Sequence, residues 1–382
     1  MCPAGLASAA DGVLLALRAL NTPEDPPVIR GALLLAERAR LLGLRRNGRI
    51  SANGSCQLME AVDGRVAINL ARPSDWDLVS LLIEQACPVG DWEIVRQAVA
   101  GARTSELAAL ARELGLPLAV DGRLHAVPVL PPLVWKTARA SPTRRPRVVE
   151  LASLWAGPLA GALLASQGAQ VLKIESPSRP DGARQGHPAF FDLLNENKRM
   201  LTFEFRDPAQ AAQLDALLET ADIVIEGSRP RALEQIGIDR HRHVARGAIW
   251  VSITAHEDPH RVGFGDDAAV EAGLSTLMDD AWGEPVFVGD AIADPLTGLH
   301  AALAALATWK AGDSRWIPLS LSGTTAFAMA HAARAARDEL YAWQKAAEAD
   351  PQRLSPLRVA GRRARHAGAD NGTLQALLRH DE

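Results

Sequence analysis

Hydrophobic residues in the second half of the chain form short runs separated by longer amphipathic segments. The runs, such as RVVEL at 147–151, are apolar almost throughout, which is typical of strands buried on both faces of a sheet. Strands joined through helices pair in parallel, so the pattern predicts an α/β fold with a Rossmann-like, mostly parallel sheet. The predicted strands are 147–151, 169–175, 200–205, 222–227 and 247–254, and the predicted helices are 158–168, 207–221 and 229–237.

The first third of the chain has a different pattern. Apolar and polar residues alternate on both sides of Asp63-Gly64 within 55–71, which predicts a β-hairpin that turns at this dipeptide. Prolines and basic residues later interrupt the periodicity. The predicted division is a small α+β domain at 1–134, a linker at 135–146 and a large Rossmann-like domain at 147–382. Helices are predicted in the small domain at about 75–86, 91–100 and 104–115.

Composition excludes several classes of protein. With 382 residues, of which 48% are hydrophobic, the chain is long enough for two domains with their own cores. A net charge of −4, with basic residues spread along the chain, gives no signature of a nucleic-acid partner. No apolar run reaches the roughly 20 residues of a membrane span, and three cysteines without CxxC spacing fit a reducing compartment. These features predict a cytoplasmic protein without a nucleic-acid or membrane partner.

Several local segments are candidates for chemistry, and each has a structural alternative. The turn at 156–158 follows a strand and opens a helix, so its amides are placed either to bind an anion or only to form a tight turn. The polar residues at 195–199 are suited to phosphates or to a solvated loop. Histidines at 239–243 and 256–260 lack metal-ligand spacing and are interpreted as surface-loop residues, and no metal is predicted.

Asp294 and Pro295 open a predicted helix at 296–310. The residues alone favour an N-cap followed by proline in the first helical position. Amides at a helix start would also keep a carboxylate ionised, with a low pKa, which suits a nucleophile. The two roles are compatible.

Four segments, in this order, resemble the class III CoA-transferase family, which includes formyl-CoA transferase, carnitine CoA-transferases and alpha-methylacyl-CoA racemase. The resemblance covers about residues 146–330 and implies that Asp294 is a covalent nucleophile, acting through a mixed anhydride and an aspartyl-CoA thioester. It implies no catalytic role for Asp290. The segments are VVELASLWAGPLAGALLASQGAQVLKIESP, LLNENKRMLTFEFRDP, ADIVIEGSRPRALEQIGI and VGDAIADPLTGLHAALAAL.

The resemblance also implies coenzyme A as part of the substrate, together with a carboxylic acid and an interlocked homodimer. Arg179 is a possible substitute for a cation that the family often has after KIE, where this chain has Ser176. Gln235 replaces an arginine of formyl-CoA transferase, which puts part of the diphosphate site in doubt. The implied coenzyme A contacts are Trp155, Ala156, Phe203, Glu204, Phe205, Arg206, Gly227, Ser228 and Arg229.

The racemase branch of the family suggests Asp267 as a second candidate acid or base. Where this branch has its catalytic histidine, the chain has Asp266. The absence of that histidine base disfavours two-base racemisation. The small-domain pattern lies at 51–120, before the large domain. Family members carry this domain after the catalytic helix, so the order in this chain resembles a permutation. The leading hypothesis is CoA transfer through Asp294; the alternatives are acyl-CoA racemisation or isomerisation through Asp267 and Asp294, and a non-catalytic CoA-binding subunit.

Overall fold

The large sheet has six parallel strands, which confirms the predicted fold class. The structure is a computed structural model that describes residues 2–20, 29–122, 144–228, 231–331, 336–349 and 358–379. The strand order is β6-β5-β4-β7-β8-β9. The strands are β4 (Arg147–Leu151), β5 (Gln170–Glu175), β6 (Arg199–Thr202), β7 (Ile223–Glu226), β8 (Ile249–Thr254) and β9 (Trp316–Ser320).

The chain order of these strands reverses at β4. From β4 the chain adds β5 and β6 on one side and then crosses to β7, β8 and β9 on the other. In open parallel sheets such a switch point leaves a crevice at the carboxyl ends of the two central strands, where ligands bind. The fold therefore predicts a site beyond the carboxyl ends of β4 and β7.

A small antiparallel sheet precedes the large one. It consists of β1 (Cys56–Ala61), β2 (Gly64–Asn69) and β3 (Leu118–Val120), in that order. The predicted hairpin is present, but its two-residue turn is Val62-Asp63, because Gly64 pairs with Ala61 in the ladder. Asp63 accepts a hydrogen bond from the Thr104 amide across the turn.

Helices cover both sheets. Those of the small unit are α4 (Pro73–Leu82), α5 (Trp92–Ala100) and α6 (Thr104–Leu114), close to the predicted helices. The other helices are α1 (Leu6–Leu20), α2 (Gly31–Leu35), α3 (Glu37–Leu41), α7 (Ala156–Ser166), α8 (Pro188–Asn195), α9 (Pro208–Glu219), α10 (Arg240–Ala245), α11 (Gly265–Glu271), α12 (Leu274–Trp282), α13 (Ala293–Lys310), α14 (Leu321–His331), α15 (Arg337–Ala349) and α16 (Leu374–Leu378).

The first helices pack on the large sheet's layers, not on the small sheet. The buried side of α1 includes Leu6, Ala10 and Leu17, and these residues share one core with α7 and α13. This packing differs from the predicted small domain at 1–134 and favours a start of the small unit after residue 41. The division into domains stays a prediction, because residues 123–143, which include most of the predicted linker, lie outside the described residues.

A buried cluster of charges fixes the turn between β4 and α7. Glu150 accepts hydrogen bonds from Lys173 Nζ at 3.1 Å and from Lys198 Nζ at 2.7 Å. The same two ammonium groups donate to the carbonyls of Ala152 and Pro158, on either side of the turn. The sequence suggested that Lys198 binds a phosphate or lies in a solvated loop. Its buried contacts exclude both roles.

The carboxylates of this cluster stabilise the charge of the ammonium groups beside them. Asp181 Oδ2 lies 2.9 Å from Lys173 Nζ, and together with Glu150 it outweighs the effect of burial and raises the pKa of Lys173. Burial instead lowers the pKa of Lys198 to about 8. A Cβ on Gly161 would overlap the Glu150 carboxylate, so this glycine allows α7 to pass close to the cluster.

Glu150→Ala is expected to destabilise the protein by about 3–5 kcal/mol, because it leaves two buried ammonium groups without their shared partner. Urea unfolding followed by circular dichroism measures the change. Glu60→Ala removes a carboxylate from an exposed pair with Arg49 and serves as the control, with an expected loss below about 1 kcal/mol. Equal losses in the two variants would contradict the central role of the Glu150 cluster.

Candidate active site

A cleft of about 220 Å³ lies at the carboxyl ends of β4, β7 and β8. The loop after β4 contributes residues 152–154, the loop after β7 contributes Gly227 and Ser228, and residues 254–255 follow β8. The start of α7 and the segment 259–264 complete much of its wall. The cleft is therefore at the switch point of the sheet, where the strand order predicts a ligand site.

Asp294 lines this cleft from the first turn of α13. The helix begins at Ala293, so Asp294 is the second helical residue and not the N-cap that the sequence suggested. The amide of Ala156, at the start of α7, donates a hydrogen bond to its carboxylate. Two helix starts therefore converge on one carboxyl group.

The pKa of Asp294 is raised, not lowered as the helix-start argument predicted. Burial is the main cause and raises the pKa to about 7. Arg38 and the Ala156 amide act in the opposite direction, whereas the charges of Asp290 and Asp267 add to the effect of burial. Desolvation by the surrounding elements therefore exceeds what the amides and one cation supply.

Close backbone approach around Asp294 requires glycine at two positions. A Cβ on Gly265, the first residue of α11, would overlap Asp294 Oδ2 and the Ala291 carbonyl. A Cβ on Gly298 would overlap the Ala156 carbonyl, at the contact of α13 with α7. Ala291 itself has a φ of 42°, a conformation that L residues rarely adopt. The site therefore combines tight packing with local backbone strain.

Four aspartates converge near the start of α13. Asp290 is fully buried and forms a bidentate ion pair with Arg38, with nitrogen–oxygen distances of 2.7 and 2.6 Å. Asp266 accepts a hydrogen bond from the Ala291 amide at 2.8 Å, and burial raises its pKa to about 7. Asp290 thus has a structural partner, and its lack of a catalytic role stays a prediction.

Asp267 lies in a buried network with a histidine that sequence reasoning assigned to the surface. His256 is fully buried, and its Nε2 lies 3.3 Å from Asp267 Oδ2, while its Nδ1 contacts Glu271. Burial opposes the imidazolium charge, but Asp267 and Glu271 outweigh it and raise the pKa of His256 to about 9. Asn69 at the end of β2 donates to Asp267 Oδ1 at 2.9 Å, which connects the network to the small sheet.

The residues implied as coenzyme A contacts lie at different places. Ala156, Gly227 and Ser228 line the cleft, whereas the Trp155 ring is buried against Phe190. The segment 203–206 follows β6: Phe203 is buried in the core beside β5 and β6, Glu204 and Phe205 are half-buried, and Arg206 is exposed. Arg229 lies outside the described residues. Coenzyme A contacts at all nine positions stay a prediction.

Cations line the cleft together with Asp294. Arg179 belongs to the lining, and its role as a substitute for the cation absent after KIE stays a prediction. Arg72, which follows β2, lies over the Phe264 ring at 5.5 Å and is paired with Asp75. Arg261 and His260 contribute from the segment after β8. In the part of the chain that the structure describes, no group of three or more histidine, cysteine or acidic residues is arranged for a metal.

Sequence reasoning missed Arg38 and Arg72 and wrongly assigned His256 to the surface. Arg38 and Arg72 lie far along the chain from Asp294 and Asp267, and only folding brings them together. No spacing motif links Arg38 to Asp290, which are 252 residues apart. The sequence GFGDD contains two adjacent aspartates beside a glycine, which indicates a crowded anionic site. It does not show which cation lies near these aspartates.

The sheet, the cleft at its switch point and the carboxylate at a helix start place the protein among α/β proteins with a ligand site outside the carboxyl ends of the strands. Within this class the chain belongs to CoA-transferase family III, whose sequence model matches residues 146–354, more than half of the chain.

Among known relatives, a succinate–glutarate CoA-transferase of Agrobacterium fabrum is 30% identical over 208 residues, which cover 47% of this chain and 52% of that protein. A succinyl-CoA–D-citramalate CoA-transferase of Chloroflexus aurantiacus is 31% identical over 173 residues, covering 42% and 43%. The chain thus spans about half the length of these relatives. A CaiB/BaiF family protein of known structure from Brucella suis is 27% identical, with 58% and 60% coverage and a TM-score of 0.43.

No helix in the described part of the chain is both long enough and apolar enough to cross a membrane.

Asp294→Asn is expected to raise the free energy of unfolding at pH 8, because the native state must keep a desolvated carboxylate there. The native pKa is raised above the unfolded value, so the penalty is absent below about pH 4, grows as the pH rises and is complete above pH 7. A gain of roughly 2–4 kcal/mol at pH 8 is expected, with little gain at pH 4. Denaturant unfolding at both pH values measures it; a gain that is equal at both would contradict a raised pKa.

Proposed function

We propose that the protein transfers CoA between an acyl-CoA and a carboxylic acid, with Asp294 as the covalent nucleophile. The observation that supports this most directly is that Asp294 is the only carboxylate among the described residues that line the cleft. It lies beside amides of α7, at the switch point where ligands of parallel sheets bind. The family and the names of the relatives favour the same chemistry.

The reaction follows from a carboxylate that attacks a thioester. An Asp294 oxygen bonds to the acyl carbon, the carbon–sulfur bond breaks, and CoA leaves as a thiolate to give a mixed anhydride. The thiolate then attacks the aspartyl carbonyl, which releases the donor acid and leaves an aspartyl-CoA thioester. The acceptor carboxylate attacks that thioester, the carbon–sulfur bond breaks, and the CoA thiolate leaves a second mixed anhydride. The thiolate then attacks the acceptor carbonyl of this anhydride, which gives the new acyl-CoA and releases the Asp294 carboxylate.

The surroundings of Asp294 fit these steps. Amides at the start of α7 are suited to stabilise the oxyanion that forms at the attacked carbonyl, because helix amides are fixed before the reaction. The cationic groups of Arg72, Arg179 and Arg261 complement a diphosphate and a carboxylate. A raised pKa also makes carboxylate less abundant below pH 7, so the proposed activity should fall as the pH decreases through this value.

Several finer features belong to the same proposal. We infer that coenzyme A lies along Ala156, Gly227 and Ser228, in the cleft, and reaches toward 203–206. The named relatives act on succinate, glutarate and D-citramalate, so a short dicarboxylic acid is the first acceptor to test. We expect a homodimer and a cytoplasmic location.

Mixing the protein with succinyl-CoA and adding hydroxylamine should convert Asp294 to a hydroxamate, because hydroxylamine attacks anhydrides and thioesters but not free carboxylates. Peptide mass spectrometry identifies the modified residue. Asp294→Ala should abolish the adduct and lower exchange of label between acyl-CoA and acid by at least about 10³-fold.

Asp279→Asn is the matched control for this experiment, since Asp279 pairs with Arg65 and does not line the cleft. It should keep both adduct and exchange. Unchanged exchange in Asp294→Ala would exclude the nucleophile.

Proton exchange at the acyl α-carbon is a second candidate function, favoured by one observation. His256 Nε2 lies 3.3 Å from Asp267 Oδ2, so His256 would take the part of the histidine that the sequence lacks at position 266. Asp267 and Asp294 would then be the acid and base.

This second function predicts uptake of deuterium from D2O into the α-position of a branched acyl-CoA without any acceptor acid. Proton NMR follows the exchange. His256→Gln and Asp267→Asn should each lower the exchange rate about 100-fold or more. Absence of exchange in the wild-type protein, under conditions where CoA binding is measured, would exclude this function.

A further inference from the structure

Arg38 connects the N-terminal helices to the site of Asp294, although it lies outside the region that the family model matches. Its Nε and Nη2 donate to both carboxylate oxygens of Asp290, at 2.7 and 2.6 Å. Its guanidinium carbon lies 4.9 Å from the centre of the Trp155 ring. The side chain is largely buried, so both contacts are made in a desolvated environment.

The two contacts of Arg38 reach both backbone segments that meet at Asp294. Asp290 is in the loop that enters α13, four residues before Asp294. Trp155 directly precedes Ala156, whose amide donates to the Asp294 carboxylate. One guanidinium therefore spans the start of α13 and the start of α7.

We propose that Arg38 is the positioning residue of this site: it holds the loop before α13 against the turn before α7 and places its guanidinium beside the buried carboxylate of Asp290 at the start of α13. This inference rests on the proposed function, in which Asp294 acts as a carboxylate. It assigns the α2–α3 segment, which precedes the small sheet, a part in the active centre.

The charges that face Asp294 come from several elements. Asp290 precedes α13 and Asp267 belongs to α11, and the negative charges of both raise the Asp294 pKa. Asp266, also in α11, has a pKa raised to about 7 by burial. Arg38 is the largest influence that opposes burial in setting the Asp294 pKa. His256 is held by Asp267 and Glu271. The cleft adds Arg72, Arg179, His260 and Arg261, of which Arg72 is paired with Asp75 and Arg261 with Glu271.

Removing Arg38 and removing Asp290 should move the Asp294 titration in opposite directions. Arg38→Gln takes away the cation and leaves Asp290 as a buried anion, so the Asp294 pKa should rise above about 7. Asp290→Asn leaves the cation without its partner, so the pKa should fall. A salt bridge with only a structural role would weaken folding in both variants without this opposite shift.

The experiment is a pH titration of protein carrying ¹³C-labelled aspartate, followed by NMR, with Asp294→Asn used to assign the signal. Arg38→Gln should raise the midpoint by about one pH unit or more, which lowers the fraction of carboxylate at pH 7 from about one half to about one tenth. Arg38→Lys should keep the midpoint near that of the wild type, and Asp290→Asn should lower it.

Glu37→Gln is the matched control, because Glu37 also lies in α3 and forms a bidentate pair, with Arg358. It should leave the midpoint unchanged. An unchanged midpoint in Arg38→Gln, or an equal rise in Glu37→Gln, would overturn the proposal. If Arg38→Gln does not fold, Arg38→Lys and Asp290→Asn are compared instead, and a midpoint in Asp290→Asn that is not lower than that in Arg38→Lys would overturn the proposal.

The titration requires no substrate, so its result does not depend on whether the protein catalyses CoA transfer. A shift as expected, together with no label exchange on any acyl-CoA, would reject the proposed transferase function while leaving the positioning role of Arg38 in place. With exchange present, Arg38→Gln should move the acid limb of the pH–rate profile to higher pH by the same amount as the NMR midpoint.

Discussion

The close contact between the start of α13 and the turn that begins α7 is the constraint on which the site depends. Gly298 allows α13 to approach the Ala156 carbonyl, and Gly265 allows α11 to approach Asp294 from the other side. A methyl group at either position would occupy space already filled by protein atoms. The close contact places Asp294 within hydrogen-bond reach of the Ala156 amide and desolvates its carboxyl group. Geometry and electrostatics at the site therefore have one origin, the packing of α13.

That packing relies on buried charge as well as on apolar contact. Glu150, in β4 before the turn, pairs with Lys173 and Lys198, whose ammonium groups also bind the carbonyls of Ala152 and Pro158. At the other end of the turn, Arg38 pairs with Asp290 and covers Trp155. Each buried carboxylate of these two clusters has a cation, as expected where desolvation would otherwise exclude the charge. Asp294 and Asp266 differ, because Arg38, the cation that lowers their pKa values, is already engaged by Asp290, and burial therefore raises both pKa values.

The small sheet also contributes to the site, although it lies earlier in the chain. Asn69 at the end of β2 donates to Asp267, and Arg72 just beyond it reaches the cleft beside Phe264. The interpretation of this unit as the family's small domain in a permuted position stays a prediction, since the family model begins at residue 146. Its contacts nevertheless indicate that a unit placed before the large sheet can supply polar groups to the same cleft.

Sequence patterns alone predicted the α/β class, most strands and helices of the large sheet and the hairpin of the small one, whereas the catalytic role of Asp294 was implied by the family resemblance and stays a prediction. Periodicity and caps such as Asp207-Pro208 act over a few residues, so local sequence carries them. Other features are visible only in the folded chain: Asp294 is inside the helix and is not its cap, its pKa is raised, His256 and Lys198 are buried, and Arg38 pairs with Asp290. Those properties depend on desolvation and on partners up to 252 residues away, and no local pattern encodes them.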